Sequence, residues 1–160
     1  MSVGSNHEKQ TLLPFKPPFL MVGLVVLGFI IEYLSPLPLL GNAIVRFALG
    51  LTLLSAGGAL MGASKKAFKA HGEEFSHGFA TSALVSEGPF ARSRNPIYVA
   101  GTLLMCSVGV LANTLWVPLT VLLLGVPLLH FLVVKPEEAY LRATLGEEYL
   151  EYSSKVRRWF

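Results

Sequence analysis

Two short polar stretches hold most of the residue types in this chain that could do chemistry. One is Gly88-Pro89-Phe90-Ala91-Arg92-Ser93-Arg94-Asn95-Pro96-Ile97-Tyr98; the other is Lys135-Pro136-Glu137-Glu138. Together they offer two guanidiniums, an amide, a phenol and two carboxylates. Each piece has an ordinary structural use. Arginines anchor membrane proteins at the cytoplasmic face, and tyrosines settle at bilayer interfaces. Asn95-Pro96 has the form of a helix start, with Asn as N-cap and Pro in the first turn. Glutamates after Pro136 suit a helix N-terminus. The combination and its order argue for more, provided that the chain brings the two stretches together. No His/Cys cluster offers a metal site.

The composition says what lies between them. Of 160 residues, 52% are hydrophobic and only 14% charged. Soluble domains carry about 25% charged residues, so there is too little polarity here to clothe a globule. The apolar residues come in blocks with the charges between them, which is membrane patterning. The formal charge of +3 belongs to residues flanking those blocks, so topology explains it and nucleic-acid binding is not expected. The single cysteine, Cys106, lies in an apolar run and reads as a small buried hydrophobe.

The blocks predict an all-α, polytopic transmembrane helix bundle of about four spans with a C-terminal amphipathic helix. Residues 1–16 read as a polar tail, disordered or lying on a surface, without a signal-peptide pattern. Residues 17–63 hold two spans, Pro17 to Leu34 and Leu39 to Ala63. In the second, Gly58 and Gly62 form a small-xxx-small pair suited to close helix packing. Glu32 and Arg46 fall near one membrane face and are expected to pair, unless Arg46 snorkels. Residues 64–160 form the expected catalytic region: a polar connection, a span from Ile97 to Ala112, a tight Asn113-Thr114 turn, and a span from Leu115 to Val134 kinked at Pro127. So short a turn makes the last two spans an antiparallel hairpin, which returns the chain to the face it left. Leu141, Leu145, Tyr149, Tyr152 and Val156 then recur at helical spacing, with Gly146 weakening the helix midway. Every basic segment falls on one side of a four-span arrangement. That predicts a multi-pass protein with both termini cytoplasmic, and a bacterial inner membrane is the expected setting.

The C-terminal half resembles a known family. Ala83-Leu84-Val85, Gly88-Pro89-Phe90, Arg94-Asn95-Pro96-x-Tyr98, Glu137-Glu138, Leu145-Gly146-Glu147-Glu148-Tyr149-x-x-Tyr152, Val156 and Arg158 resemble, in order and spacing, the isoprenylcysteine carboxyl methyltransferases, relatives of the phospholipid methyltransferases. The resemblance implies S-adenosylmethionine as cofactor, bound at the cytosolic face by the hairpin and the C-terminal segment. The acceptor would be a lipophilic or small molecule entering from the bilayer, a membrane lipid included. Carried over by motif, Glu137 would hold the cofactor's amino group, and Ala83, Leu84, Val85 and Phe90 would line its pocket. Arg94, Asn95, Pro96 and Tyr98 would touch it through side chain or backbone, with Arg94 and Glu137 the catalytic pair.

Two departures stand out. The family's Arg-His-Pro is Arg94-Asn95-Pro96 here, so a role needing a titrating imidazole would be lost. The eukaryotic isoprenylcysteine enzymes have a substrate-binding arginine about one turn before the first glutamate; that position is Val133 here. His130, the one ionisable residue inside the last span, is a candidate substrate or proton-accepting residue, or else bonds a neighbouring helix. Two other readings stay open: a nicotinamide-dependent membrane reductase on a related fold, and a non-enzymatic scaffold or small transporter. A transporter of the repeat type would show internal repeats, and the sequence has none. The acceptor's identity and the oligomeric state are not written in it.

Overall fold

The computed structural model describes residues 17–39, 41–71 and 84–159, most of them helical. The tail read over residues 1–16 and residues 72–83 of the polar connection, Ala83 among them, lie outside the described residues. We label the helices α1 (Pro17–Leu34), α2 (Ala43–Ala70), α3 (Pro96–Leu111), α4 (Trp116–Leu145) and α5 (Glu147–Lys155), with a single 3-10 turn over Gly88–Ala91 before α3. The first two and the fourth are long and apolar enough to cross a bilayer, and α3 is a shorter apolar helix. Its 16 residues reach only about 24 Å, a little under the hydrocarbon thickness of about 30 Å. The chain is thus an all-helical membrane bundle.

Packing is pairwise: α2 runs along α3, and α1 along the first half of α4. Small residues set both seams, but not the ones expected. A Cβ on Gly58 or Gly62 would meet nothing within 4 Å. The α2 seam is Gly50, Gly57 and Ser64, seven apart and all buried. A seven-residue period keeps one stripe facing its partner. A Cβ on Gly57 would stand 3.1 Å from the Ala100 carbonyl oxygen, and one on Gly50 2.5 Å from Leu111. Gly58 and Gly62 lie on the other side of that stripe. The sequence held two overlapping small-residue registers, and packing uses one. On the α1–α4 side, Thr120 donates its hydroxyl across the interface to the Leu24 carbonyl at 2.9 Å, a polar tie of the kind helices use in lipid. Cys106 is buried in the core with Met21, Leu24, Val117, Val121, Leu129 and Val133.

α2 starts at Ala43 and not at Leu39, capped by the Asn42 side chain, which accepts from the Val45 N–H; three other helix boundaries also differ from expectation, each for a local reason. α2 continues past Ala63 to Ala70, because Ala-Ser-Lys-Lys-Ala-Phe-Lys-Ala has no Gly or Pro and favours helix. α4 does not end at Val134 but runs unbroken through Pro136 to Leu145. Proline removes a donor and crowds the carbonyl four residues back. Here each interior proline follows a π-helical stretch: Thr120–Gly125 before Pro127, and His130–Val134 before Pro136. There Val126 and Lys135 donate five residues back, to Val121 and His130. The widened turns make room for the rings without breaking the helix. The helix breaks instead at Gly146, whose φ of +53° is easy only for glycine, so the expected amphipathic tail is the end of α4 plus a separate α5.

At the end of the bundle away from the Arg94 loop, Glu32 does not pair with Arg46. Its carboxylate accepts from the Thr114 hydroxyl at 2.7 Å and the Leu37 N–H at 3.1 Å. The α1–α2 and α3–α4 turns meet there: the Leu115 N–H donates to the Leu37 carbonyl and the Trp116 indole to Ser35, at 2.9 and 2.7 Å. Neutral donors from the touching turns satisfy the carboxylate, while the Arg46 guanidinium lies over the Phe47 ring, 4.9 Å from its centroid.

The seams predict a contrast. A Cβ on Gly28 would come within 2.7 Å of the Val117 Cα, which is backbone and cannot move aside. Gly28→Ala should therefore lower stability by about 1–3 kcal/mol as overpacking. Gly58→Ala should change it by no more than about 0.5 kcal/mol. Thermal unfolding of both variants in detergent measures the difference.

Candidate active site

The hairpin closes as the sequence reading required. The Tyr98 hydroxyl, on the first turn of α3, donates to Glu137 Oε1 at 2.7 Å across 39 residues of chain. Pro96 starts α3 from its first turn and sets the direction in which Tyr98 leaves it. Tyr98 also packs against the core cluster that contains Leu129 and Val133. Those two residues precede Glu137 by two turns and one turn, so they carry the apolar packing up to the carboxylate.

Glu138, one residue on, has a different environment. Arg158 grips it with both arms: Nε to Oε1 and Nη2 to Oε2, each at 2.8 Å. Arg94 approaches the same carboxylate, Nη1 to Oε1 at 3.3 Å, but outside hydrogen-bond geometry. The Nε and Nη1 of Arg94 are both buried without a hydrogen-bond partner. Two guanidiniums therefore face one carboxylate, in surroundings where Glu138 is 6% exposed. The bidentate pair raises the pKa of the Arg158 guanidinium further, chiefly through its hydrogen bond to Glu138.

The segment after α5 straps these parts together. The Arg94 N–H donates to the Arg157 carbonyl at 2.9 Å. The Arg158 carbonyl accepts from the Asn95 side-chain amide at 3.0 Å and the Ser93 hydroxyl at 3.3 Å. Deeper in, the Tyr152 hydroxyl donates to the Phe90 carbonyl at 2.8 Å, in a fully buried bond. Trp159 lies beside His130, ring centroids 6.1 Å apart, and the His130 ring also meets Phe131 edge-on at 4.9 Å.

The candidate residues sort as follows. Arg94, Asn95, Pro96, Tyr98 and Glu137 gather at one end of the hairpin. Arg94 stands at Glu138, and Tyr98 at Glu137. Asn95 stands at the N-cap position of α3 but makes no side-chain cap bond; its amide holds the strap. Val85 and Phe90 are buried with Phe68 and Ile97, Phe90 edge-on to Phe68 at 5.2 Å, and Leu84 beside them is partly buried. His130 stands against the strap with its Nδ1 buried and unpartnered. The sequence reading assigned no role to Ser93, Glu138, Tyr152 or Arg158. Tyr152 and Arg158 were visible as motif positions, but no spacing rule says that an arginine beyond the last helix turns back onto Glu138.

A family model described as phospholipid methyltransferase matches residues 45–148, well over half of the chain. The chain belongs to that family. The match begins in α2 and takes in the hairpin, both carboxylates and the start of α5, so it covers the α2–α3 seam as well as the motifs. No curated protein and no solved structure matches. Membership makes the chain a membrane protein of a methyltransferase family and leaves the acceptor open.

Burial pushes the hydroxyls of Tyr149 and Tyr152 above the usual phenol range, Tyr149 further under the charge of Glu138 and Tyr152 further beside Tyr149. An unfolded tyrosine ionises near pH 10. Above that pH the native state holds protons that the unfolded chain has lost, so stability must fall as pH rises. Tyr152→Phe should cost about 1 kcal/mol at neutral pH through the lost bond to Phe90 and make the decline above about pH 10 shallower. Thermal unfolding as a function of pH tests both.

Proposed function

We propose that the chain is an S-adenosylmethionine-dependent methyltransferase that modifies a lipophilic or membrane-delivered acceptor. The observation that carries this reading is the Tyr98–Glu137 contact at 2.7 Å, which puts a carboxylate from one end of the hairpin against the motif at the other. S-adenosylmethionine supplies an activated methyl group on a sulfonium, together with an ammonium and a carboxylate.

The side chains suit such a molecule. Tyr98 occupies one oxygen of Glu137 and, among the described residues, no cation neutralises this carboxylate; it is free to accept from an ammonium. Arg94 keeps two buried donors without partners, and a carboxylate is the group that a guanidinium grips best. A buried, unpaired donor of this kind is costly to keep unless a ligand uses it. Glu137 and Arg94 thus provide opposite charges for opposite ends of an amino acid. Ala83, Leu84, Val85 and Phe90 would supply the apolar wall, and Asn95 and Pro96 the rigid turn that holds Arg94 and Tyr98 in place.

Methyl transfer from a sulfonium needs little chemical help beyond alignment and exclusion of water. Here α3, α4 and the strap would provide both. His130 lies on α4 about two turns toward the bilayer from Glu137. Its Nδ1 is buried without a hydrogen-bond partner. We place it on the acceptor side, where the imidazole would orient the acceptor or take its proton. By the distribution of lysines and arginines, the site and both termini would face the cytoplasm.

Binding decides this reading. S-adenosylhomocysteine at about 100 times its dissociation constant should stabilise the detergent-solubilised protein by about 2.7 kcal/mol. NADPH should have no effect, and Glu137→Gln should weaken the response. No stabilisation by S-adenosylhomocysteine would sink the assignment. Mass spectrometry of lipids and small thiols after incubation with isotopically labelled methyl donor would then name the acceptor.

A further inference from the structure

On the post-α5 strap, Arg158 is the side chain that hydrogen-bonds to α4, and the established family membership gives it no task. We infer that Arg158 is a positioning residue that keeps Arg94 available for an anionic ligand by occupying Glu138 in its place. The inference rests on the proposed cofactor reading and names the group, a carboxylate, that Arg94 would receive.

The geometry carries the argument. Glu138 is nearly fully buried and stands between two guanidiniums. A buried carboxylate needs a cationic partner, and whichever arginine holds it bidentately is consumed. Arg158 does this at 2.8 Å through two nitrogens. Arg94 is left at 3.3 Å, near enough to feel the charge but not bonded, with Nε and Nη1 unpartnered. Arg94 is also fixed by its backbone, since its N–H is held by the Arg157 carbonyl. It can thus neither leave the site nor complete its hydrogen bonds there. Remove Arg158, and Arg94 is the nearest cation able to turn onto Glu138. One carboxylate and two guanidiniums leave a surplus positive charge, and that surplus is what attracts an anion. The strap's other bonds, through the Arg158 carbonyl to Ser93 and Asn95, do not involve its guanidinium. The side chain can therefore be changed while the strap stays in place.

The test compares two probes on the full chain in detergent: S-adenosylhomocysteine and its decarboxylated analogue, which differs only in lacking the carboxylate. The wild type should prefer S-adenosylhomocysteine by about tenfold or more, the usual worth of a charged hydrogen bond. Arg158→Gln should reduce that preference to about threefold or less while leaving affinity for the analogue within about twofold. Arg158→Gln combined with Glu138→Gln should restore the preference, because no carboxylate then remains to capture Arg94. Equal weakening of both probes by Arg158→Gln would mean that the arginine only holds the fold together, and would overturn the inference. So would a double variant that fails to recover, or a wild type that binds both probes alike. If Arg158→Gln does not fold, Arg158→Lys decides. A point charge frees one oxygen of Glu138, so the preference should fall partway, and an unchanged preference refutes the role. A wild type that binds neither probe removes the cofactor reading itself, which separates the two failures.

Discussion

The hydrogen bond from Tyr98 to Glu137 depends on a constraint set far from it. A carboxylate beyond the last span can meet a tyrosine before the previous one only if two helices of different length return to the same level. α3 has 16 residues; the helix that follows is 30 residues long and holds two prolines past its first turn. Were those prolines to break or sharply kink it, Glu137 would leave the site at an angle set by the break. The two π stretches keep the helix continuous through both. Each widens the turn ahead of a proline so that the ring fits and the helix continues. Every later feature of the site, from the two carboxylates to the partners that each receives, is built on that unbroken helix.

The continuity also explains how adjacent glutamates come to different fates. Successive residues on an α-helix point about 100° apart. Glu137 follows the stripe of Leu129 and Val133 and faces Tyr98. Glu138 faces the strap, where Arg158 and Arg94 wait. One carboxylate is therefore met by a neutral phenol and the other by two cations. A carboxylate already paired with guanidiniums is a structural element, whereas one held by a phenol is still able to bind a cation. That division distinguishes the two carboxylates on charge alone, before any family likeness is considered.

Much of this was readable from sequence because lipid leaves few choices. Every backbone donor must be satisfied within a helix, so apolar blocks of span length and an uncharged two-residue turn dictate a hairpin. The motif residues were then bound to share a face. What sequence did not show was set by choices among near-equal options. Gly50, Gly57 and Ser64 compete with Gly58 and Gly62 for the α3 seam, and composition cannot rank two overlapping stripes of small residues. Glu32 had a cation within reach along the chain but found neutral donors from Thr114 and Leu37 when two turns met. Pro136 carries the general signature of a helix start, and only the π turn before it makes it an interior residue. The pairing of Arg158 with Glu138 spans α5 and a glycine break, so no periodicity could have revealed it.

The strap bears on why the site lies where it does. Ser93, Arg94 and Asn95 form an irregular stretch just ahead of α3. The strap ties it down: the Arg157 carbonyl takes the Arg94 backbone N–H, and the Arg158 carbonyl takes the Asn95 side-chain amide and the Ser93 hydroxyl. A histidine in place of Asn95 could donate a single ring N–H toward the same carbonyl, so the amide keeps this tie without a titrating group. What the departure from Arg-His-Pro gives up is therefore a proton acceptor and not an architectural bond. Val133, where a substrate-binding arginine stands in the eukaryotic isoprenylcysteine enzymes, is fully buried in the core beside Leu129. At that position this chain therefore presents apolar core where those enzymes present a cation.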